Sequence, residues 1–252
     1  MDSVITIPAL GDNLIYVYRY NRNDVLVVDP SDSASVLNAL KQRDLNLTTI
    51  LITHHHWDHI GGAAELKKET GCKVIGGDGR RIPGIDQVAE DKQILQFGNS
   101  GIEVVATPGH TSTSVCYYVQ PSNANENGIL WTGDTLFVGG CGRLFECNAR
   151  SMWESLQKLA SLPDGTLVYC GHDYTLENYE FALTIEPDNQ AVKQRLSDVR
   201  QGGQSVPSTI LQEKTTNPFL RSGTPEIKAA LKMPRAGDTE VFAELRRRKD
   251  VF

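Results

Sequence analysis

The sequence lacks the features that mark several classes of protein. No apolar run approaches the ~20 residues of a transmembrane helix, and the first residues show neither the basic nor the apolar region of a signal peptide. The five cysteines are odd in number and form no C-x-x-C pair, which argues against a secreted disulfide scaffold. We therefore expect a cytoplasmic protein with reduced thiols and no membrane contact.

Positive charge is also scarce. The 252 residues carry a formal net charge of -6, which disfavours a general affinity for nucleic acid but leaves room for a local basic pocket. The glycine-rich stretch at 76–80 lacks the Lys-Ser/Thr ending of a P-loop, so we interpret it as a turn. We expect a small-molecule partner and no nucleic acid.

Two patterns of hydrophobic residues divide the chain. Short apolar runs predict strands at 14–18, 25–28, 48–52, 73–75, 102–106, 115–119, 128–132 and 166–169, with helices at 31–44, 63–68 and 152–162. Beyond residue 172 the pattern predicts helices, at 176–185, 190–200, 225–231 and 238–249. This predicts an α/β (α+β) domain at 1–172, with sheets covered by helices, and a mainly helical domain at 173–252. The polar stretch at 122–127 is interpreted as a loop.

All six histidines lie in or beside short motifs that suit metal binding. Four lie in the segment T-H-H-H-W-D-H at 53–59, and the other two lie next to glycines, in P-G-H-T at 108–111 and C-G-H-D at 170–173. Each motif follows a predicted strand, as does T-G-D-T at 132–135. Because loops at strand ends can direct side chains to one point, we expect a single inorganic site.

The candidate ligands are too many for one tetrahedral ion and fit two. The two-residue spacing of His54 and His56 places both imidazoles on one side of an extended segment, whereas Asp58 and His59 follow a bend. We predict two divalent ions that share a bridging hydroxide. We expect zinc, with iron and manganese as alternatives. In the predicted division His54, His56 and His110 hold one ion, Asp58, His59 and His172 hold the other, and Asp134 bridges them.

Two further residues of this region need an interpretation. His55 and His59 have the spacing of a helical zinc pair, but the H-E-x-x-H motif requires Glu where the chain has His56. We therefore interpret His55 as a neighbour of the site and not as a ligand. Asp29, in V-D-P, has two interpretations: a carboxylate that orients a ligand histidine, or an aspartate in a turn before a helix.

The series T-H-x-H-x-D-H, P-G-H-T, T-G-D-T and G-H resembles the metallo-β-lactamase superfamily over residues 1–172. That resemblance implies an αββα sandwich with a binuclear metal site at one edge. The segments G-G-C-G-R-L-F-E at 139–146, G-H-D-Y-T at 171–175, T-N-P-F-L-R at 216–221 and R-R-R-K-D at 246–250 extend it to the whole chain. With them the sequence resembles the glyoxalase II family of hydroxyacylglutathione hydrolases, in which a helical C-terminal domain helps to bind glutathione.

The resemblance implies an activity and a set of residues. The activity is hydrolysis of S-(2-hydroxyacyl)glutathione, typically S-D-lactoylglutathione, to glutathione and D-lactate by a metal-bridging hydroxide, the second step of methylglyoxal detoxification. Asp134 and Asp58 would be catalytic, and glutathione contacts would fall on Arg143, Tyr174, Arg246 and Lys249. The family often has Lys in place of Arg143 and Tyr in place of Phe145. The second difference removes a hydroxyl group.

Physical chemistry supports the glutathione contacts but leaves alternatives. Glutathione is a net anion, and Arg246 and Lys249 share one face of the predicted last helix. Both residues would equally complement the negative end of that helix, and Tyr174 has ordinary packing as an alternative. The rival functions are a glutathione persulfide dioxygenase with one iron, an RNA phosphodiesterase and a non-catalytic metal-binding protein. We expect a monomer, because no exposed apolar helix face stands out.

Overall fold

The computed structural model describes residues 4–121 and 126–252, so most of the loop predicted at 122–127 lies outside the described residues. The strands are β1 (Val4–Ala9), β2 (Asn13–Arg19), β3 (Asp24–Val28), β4 (Asn46–Ile52), β5 (Lys73–Gly76), β6 (Gln87–Val88), β7 (Ile94–Phe97), β8 (Ser100–Ala106), β9 (Val115–Val119), β10 (Ile129–Gly133), β11 (Leu136–Phe137), β12 (Gly140–Cys141), β13 (Leu167–Cys170) and β14 (Ser208–Thr209). The helices are α1 (Ser33–Arg43), α2 (Trp57–Ile60), α3 (Ala63–Thr70), α4 (Ala149–Ala160), α5 (Thr175–Ile185), α6 (Gln190–Arg200), α7 (Ile210–Thr216), α8 (Pro225–Ala230) and α9 (Asp238–Lys249).

Two large sheets form the centre of the protein. The first has the order β1-β2-β3-β4-β5-β6 and the second the order β14-β13-β10-β9-β8-β7. Strands β3, β4 and β5 are parallel, and so are β10 and β13. The carboxyl ends of β4, β10 and β13 carry loops that contain candidate ligands, because parallel neighbours end at the same edge of a sheet. The loop of His110 follows β8, which is antiparallel to its neighbours β7 and β9.

Alternating side chains pack the two sheets against each other and against helices. In β2, Tyr16 belongs to the core between the sheets, whereas Ile15 belongs to the core under α1 and α3. Trp131 of β10 packs in the core between the sheets, and its neighbour Leu130 packs against the helices on the other face. Because both faces of each sheet are covered, the central strands are continuous apolar runs. The layers are therefore helix, sheet, sheet, helix.

The C-terminal helices complete the outer layer of the second sheet. Phe181 of α5 and Phe242 of α9 share one apolar core with Leu156 of α4. Phe219, between α7 and α8, belongs to the same core. The segment also adds a strand, because β14 pairs with the edge of β13. Residues after 172 are thus mainly helical, but their core is continuous with that of the second sheet. No helix among the described residues is long and apolar enough to cross a membrane.

The predicted fold class is confirmed, and every predicted strand and helix has a counterpart. The prediction for α4 began too late, because Asn148 caps the helix by accepting a hydrogen bond from the Ser151 N–H. Strands β1, β6, β7, β11, β12 and β14 and helices α2 and α7 were missed. Most of these strands are two residues long, and β1 is a half-exposed edge strand that contains Pro8. Helix α7 is seven residues long and contains β-branched residues, so its local signal is weak.

Candidate metal centre and substrate cleft

The candidate ligands meet because the ends of β4 and β10 approach closely. Gly133, the last residue of β10, has a φ of 47°, and a Cβ there would lie 2.2 Å from Thr53 Oγ1. Only glycine combines this left-handed backbone with so close a contact. The approach brings Asp134, which follows β10, next to the histidines that follow β4.

The first donor cluster consists of His54, His56 and His110. His56 Nδ1 lies 3.1 Å from His54 Nε2 and 3.0 Å from His110 Nε2. Donor atoms around one tetrahedral ion at ~2.0–2.1 Å lie about 3.3 Å apart, so this spacing fits three ligands of one metal. The three side chains are brought together from two loops, after β4 and after β8.

The second donor cluster consists of Asp58, His59 and His172. His172 Nε2 lies 3.2 Å from His59 Nε2 and 3.3 Å from Asp58 Oδ2. Asp58 and His59 lie in the short helix α2, which provides the bend expected after His56, and His172 follows β13. These distances also suit one metal ion.

Asp134 lies between the two clusters. One carboxylate oxygen, Oδ2, is 3.4 Å from His110 Nε2 and 3.5 Å from His172 Nε2, and Oδ1 is 3.3 Å from His59 Nε2. Oδ1 is buried and accepts no hydrogen bond from the described residues. A buried carboxylate oxygen without a donor is costly unless a cation faces it. The position therefore fits a carboxylate shared by two metal ions.

The electrostatics of the site also favour cations. Burial opposes a positive charge on His59 and His172, yet neighbouring carboxylates, chiefly Asp134, raise the pKa of His59 to about 10 and that of His172 to about 11. Conversely, burial raises the pKa of Asp134, but the nearby histidines outweigh burial and hold that pKa well below its usual value. Carboxylates that would hold protons on two buried histidines form a negative potential suited to divalent ions.

Hydrogen bonds from behind orient the ligand histidines. His59 Nδ1 lies 2.9 Å from Asp29 Oδ2, and His172 Nδ1 lies 2.8 Å from Asp12 Oδ1. In the first cluster, His110 Nδ1 donates to the carbonyl of Arg143 at 2.8 Å. Such bonds leave the other ring nitrogen free to bind metal and fix the direction of the ring.

The contacts of Asp29 favour a carboxylate that orients a ligand histidine over an aspartate that only forms a turn before a helix. A carboxylate oxygen of Asp29 lies within 4.8 Å of donor atoms of both His54 and His59. Its oxygens, however, already accept from the Thr53 N–H, the Thr53 hydroxyl and His59. With these partners, Asp29 joins the start of the histidine segment to the back of the His59 ring.

Sequence reasoning missed Asp12 and Asn13. Asp12 lies in the turn after β1 and Asn13 begins β2, and Asn13 Nδ2 donates to the Asp58 carbonyl at 2.9 Å. A Gly-Asp-Asn turn between two strands is ordinary, so nothing in the local pattern indicates a role at the site. His55 lies outside both clusters and instead contacts Arg81 and Glu146.

A cleft of about 420 Å³ opens onto the two clusters. Its walls include all four residues expected to contact glutathione: Arg143, Tyr174, Arg246 and Lys249. Tyr174 stacks on the ring of His172 with centroids 5.0 Å apart. Phe145 is exposed at the cleft and packs edge-on against the rings of His56 and His110. The structure thus brings five of the seven predicted ligands and all four predicted substrate contacts to the lining of one cavity.

Two of the four cations of α9, Arg246 and Lys249, point inward. Arg246 is 5% exposed and donates to the Cys141 carbonyl at 2.8 Å and to Asp250 at 3.0 Å. Lys249 is also buried, pairs with Glu177 and lies over the rings of Phe181 and Phe252. Burial of both side chains argues against a simple solvated charge at a helix end.

Comparisons with known proteins agree with this geometry. The family profile described as Metallo-beta-lactamase superfamily matches residues 9–172, and the one described as Hydroxyacylglutathione hydrolase C-terminus matches 173–252. A hydroxyacylglutathione hydrolase from Methylococcus capsulatus is 45% identical, with 100% of this chain and 99% of the relative covered. One from Rhizobium meliloti is also 45% identical, covering 89% and 88%.

A solved structure extends the comparison of the fold. The crystal structure of ETHE1 from Myxococcus xanthus matches with a TM-score of 0.67 and 24% identity, covering 98% of each chain. At this identity the match concerns the fold alone. The full-length relatives and the two family profiles carry the assignment, and they confirm the resemblance of the sequence motifs. The chain belongs to the hydroxyacylglutathione hydrolase (glyoxalase II) family of the metallo-β-lactamase superfamily.

Proposed function

We propose that this protein hydrolyses the thioester of an S-(2-hydroxyacyl)glutathione, typically S-D-lactoylglutathione, to glutathione and a 2-hydroxy acid. The observation that carries the proposal is the shared cleft, which is lined by members of both donor clusters and by Arg246 and Lys249. A metal centre beside buried cations suits a substrate with a reactive carbonyl at one end and carboxylates at the other. The full-length relatives bear the name of this activity.

We assign the ligands of two divalent ions by cluster. His54, His56 and His110 would hold one ion, Asp58, His59 and His172 the other, and Asp134 both. The donor spacing and the buried Asp134 oxygen support this assignment. We propose zinc, and the same imidazole and carboxylate donors accept iron or manganese.

When bound, such ions generate a nucleophile from water at neutral pH and polarise the carbonyl that it attacks. The protein contributes the geometry. Asp134 and Asp58 supply fixed negative charge, and Asn13 donates to Asp58 Oδ2 at 3.3 Å, which directs this carboxylate. Glutathione leaves as a thiolate, and because a thiol has a pKa near ~8.5, no strong general acid is required. Arg143, exposed at the cleft, is placed to meet a substrate carboxylate.

The rival persulfide dioxygenase would need one iron and would leave part of the second cluster unused. In this chain the donor atoms of Asp58, His59 and His172 converge as closely as those of the first cluster. A complete second set of ligands supports the hydrolase. The similarity to ETHE1 concerns the fold and does not favour the oxygenase.

The decisive experiment is a hydrolysis assay with S-D-lactoylglutathione on metal-loaded protein, with metal analysis in parallel. We expect turnover, about two ions per chain, and no comparable turnover in Asp134→Ala. A single iron with oxygen uptake on glutathione persulfide would establish the rival. Cleavage of a lactam or a phosphodiester without thioester turnover would also overturn the proposal.

A second experiment tests whether Arg246 and Lys249 bind glutathione. Replacing both Arg246 and Lys249 with Ala removes two charged contacts worth ~1.5–3 kcal/mol each, so we expect KM to rise at least ~100-fold with a smaller change in kcat. Arg247→Ala is the matched control, because Arg247 is on the same helix but pairs with Glu244 at the surface. An unchanged KM in the double variant would exclude Arg246 and Lys249 as contacts of glutathione.

We also propose that residues 1–172 are the catalytic domain and residues 173–252 the substrate-binding domain of a monomeric cytoplasmic enzyme. Reduced thiols support the location, because all five cysteines are free. Light scattering and cell fractionation test the two statements.

A further inference from the structure

We propose that Arg81 is a positioning residue for the first donor cluster, and that His55 serves as its acceptor. The inference rests on the metal assignment of the proposed function. It concerns the Arg81 network, which comprises Arg81, Asp78, His55, Glu146, Ser112 and Thr113.

Arg81 joins three segments that are distant in sequence. Its guanidinium donates to His55 Nε2 at 3.1 Å, to Thr113 Oγ1 at 3.2 Å and to both carboxylate oxygens of Glu146. His55 lies between two ligands of the first cluster, and Thr113 is three residues after the third. Glu146 follows the stretch that contains Arg143 and Phe145. One side chain therefore connects the two loops that supply the cluster and the wall of the cleft beside it.

The donor chemistry defines the role of His55. A guanidinium nitrogen can only donate, so His55 Nε2 is the acceptor of this hydrogen bond. The His55 ring also packs edge-on against the ring of His56, with centroids 5.0 Å apart. His55 thus transmits the position of Arg81 to a neighbouring ligand without binding metal itself.

The remaining members hold Arg81 and Glu146 in place. Asp78 is 5% exposed, accepts from the Arg81 backbone N–H at 3.0 Å and from Thr113 Oγ1 at 3.0 Å, and pairs with the guanidinium. Glu146 accepts from both the N–H and the hydroxyl of Ser112 at 2.8 Å. An isolated surface ion pair contributes little, whereas a network with several partners on different loops restricts their relative motion.

The wall of the cleft next to Glu146 also contacts His110, a ligand of the first cluster. The Arg143 carbonyl accepts from His110 Nδ1, and Phe145 packs on the His110 ring. Both residues lie close before Glu146 in the chain. The Arg81 network therefore reaches the first cluster by two routes: through His55 to His56, and through the segment before Glu146 to His110. The orienting partners of the second cluster, Asp29 and Asp12, are not part of it.

The test measures metal release and is independent of the substrate. Arg81→Gln, loaded with two equivalents of zinc, is treated with an excess of a chromogenic chelator. We expect one equivalent to leave about tenfold faster than from the wild type, the scale typical of groups that orient metal ligands, and the other at the wild-type rate. Arg81→Lys, which keeps one charge but cannot reach all partners, should lie between them. Arg150→Gln is the matched control, because it removes an exposed arginine–glutamate pair away from the site.

Two backgrounds assign the labile ion. In His172→Ala, which damages the second cluster, Arg81→Gln should still accelerate release of the remaining ion. In His56→Ala, which damages the first, it should not. Equal acceleration in both backgrounds would mean a general loss of structure and would overturn the inference, as would unchanged release in Arg81→Gln. Failure to bind two ions in the wild type would instead contradict the proposed function.

Discussion

The two donor clusters of the site are built from different chemistry. The first has three histidines, and the described residues that hydrogen-bond to the backs of its rings offer neutral groups, the Arg143 carbonyl and the Thr53 hydroxyl. The second has two histidines and a carboxylate, and carboxylates also stand behind both rings. Burial lowers the pKa of the first set of histidines, whereas carboxylates raise that of His59 and His172. Two ions a few ångströms apart would therefore meet unequal negative charge.

This difference in charge suggests that the second cluster binds its ion more tightly and that the ion of the first acts more strongly on the substrate. A cation surrounded by more carboxylate is held more tightly, because hydrogen-bonded carboxylates increase the basicity of the histidine ligands. The first cluster has less charge, and it lies beside Phe145 at the cleft wall. Its ion would remain the stronger electrophile towards a carbonyl.

Replacement of Asp134 should weaken metal binding at both clusters, because Asp134 contacts both. We expect Asp134→Ala to bind both ions more weakly and to lose about 10²–10³-fold in kcat, as expected for removal of ~3–4 kcal/mol of electrostatic stabilisation. Metal analysis after dialysis and steady-state kinetics measure the two effects. Loss of only one ion would show that Asp134 belongs to one cluster and does not bridge.

Asp29→Asn should weaken the second cluster more than the first, because Asp29 contacts His59 directly and His54 only through Thr53. It keeps the shape of the side chain but removes the charge behind His59, so we expect ~10–100-fold weaker binding of one ion. Asp12→Asn should have a smaller effect, because the Asp12 side chain is 49% exposed and its charge is screened by solvent. Competitive titration with a calibrated chelator measures both constants. Weakening of both ions to the same degree would contradict independent support of the clusters.

Stepwise chelation of the wild type should remove the ion of the first cluster before that of the second. We expect affinities that differ by about tenfold, the lower end of the effect of carboxylates behind metal-binding histidines. Binding of a single zinc equivalent by His56→Ala and by His172→Ala identifies the sites, and the former should hold its ion more tightly. The reverse order would mean that geometry outweighs charge.

Phe145→Tyr should produce the smallest change. The ring contacts the first cluster and is 62% exposed, so an added hydroxyl would face the cleft without crowding. One new hydrogen bond to substrate is worth ~0.5–1.5 kcal/mol, which lowers KM by about 2–10-fold at most and leaves metal release unchanged. Accelerated release would instead show that this ring stabilises His56 and His110.

The sequence was most informative where function requires particular residue types at particular points of the chain. Histidines and Asp134 after apolar runs predicted the donor groups, since strand ends and glycines are visible in local patterns. Arg246 and Lys249 were predicted from the resemblance to the family, and helical periodicity only added that both lie on one face of the last helix. The short strands β11, β12 and β14 gave no such signal, because two residues are too few for any period to appear.

What the sequence determined by itself was therefore the identity of the candidate ligands, the layered fold and the family. Only the tertiary structure decided which groups stand behind those ligands. Asp12 meets His172 across 160 positions of sequence, and Arg81 meets Glu146 across 65. The role of His55, which its own segment left open, depends on the same kind of distant contact. Such hydrogen bonds arise from the packing of separate loops, and no local pattern encodes them, because each loop alone is an ordinary polar turn.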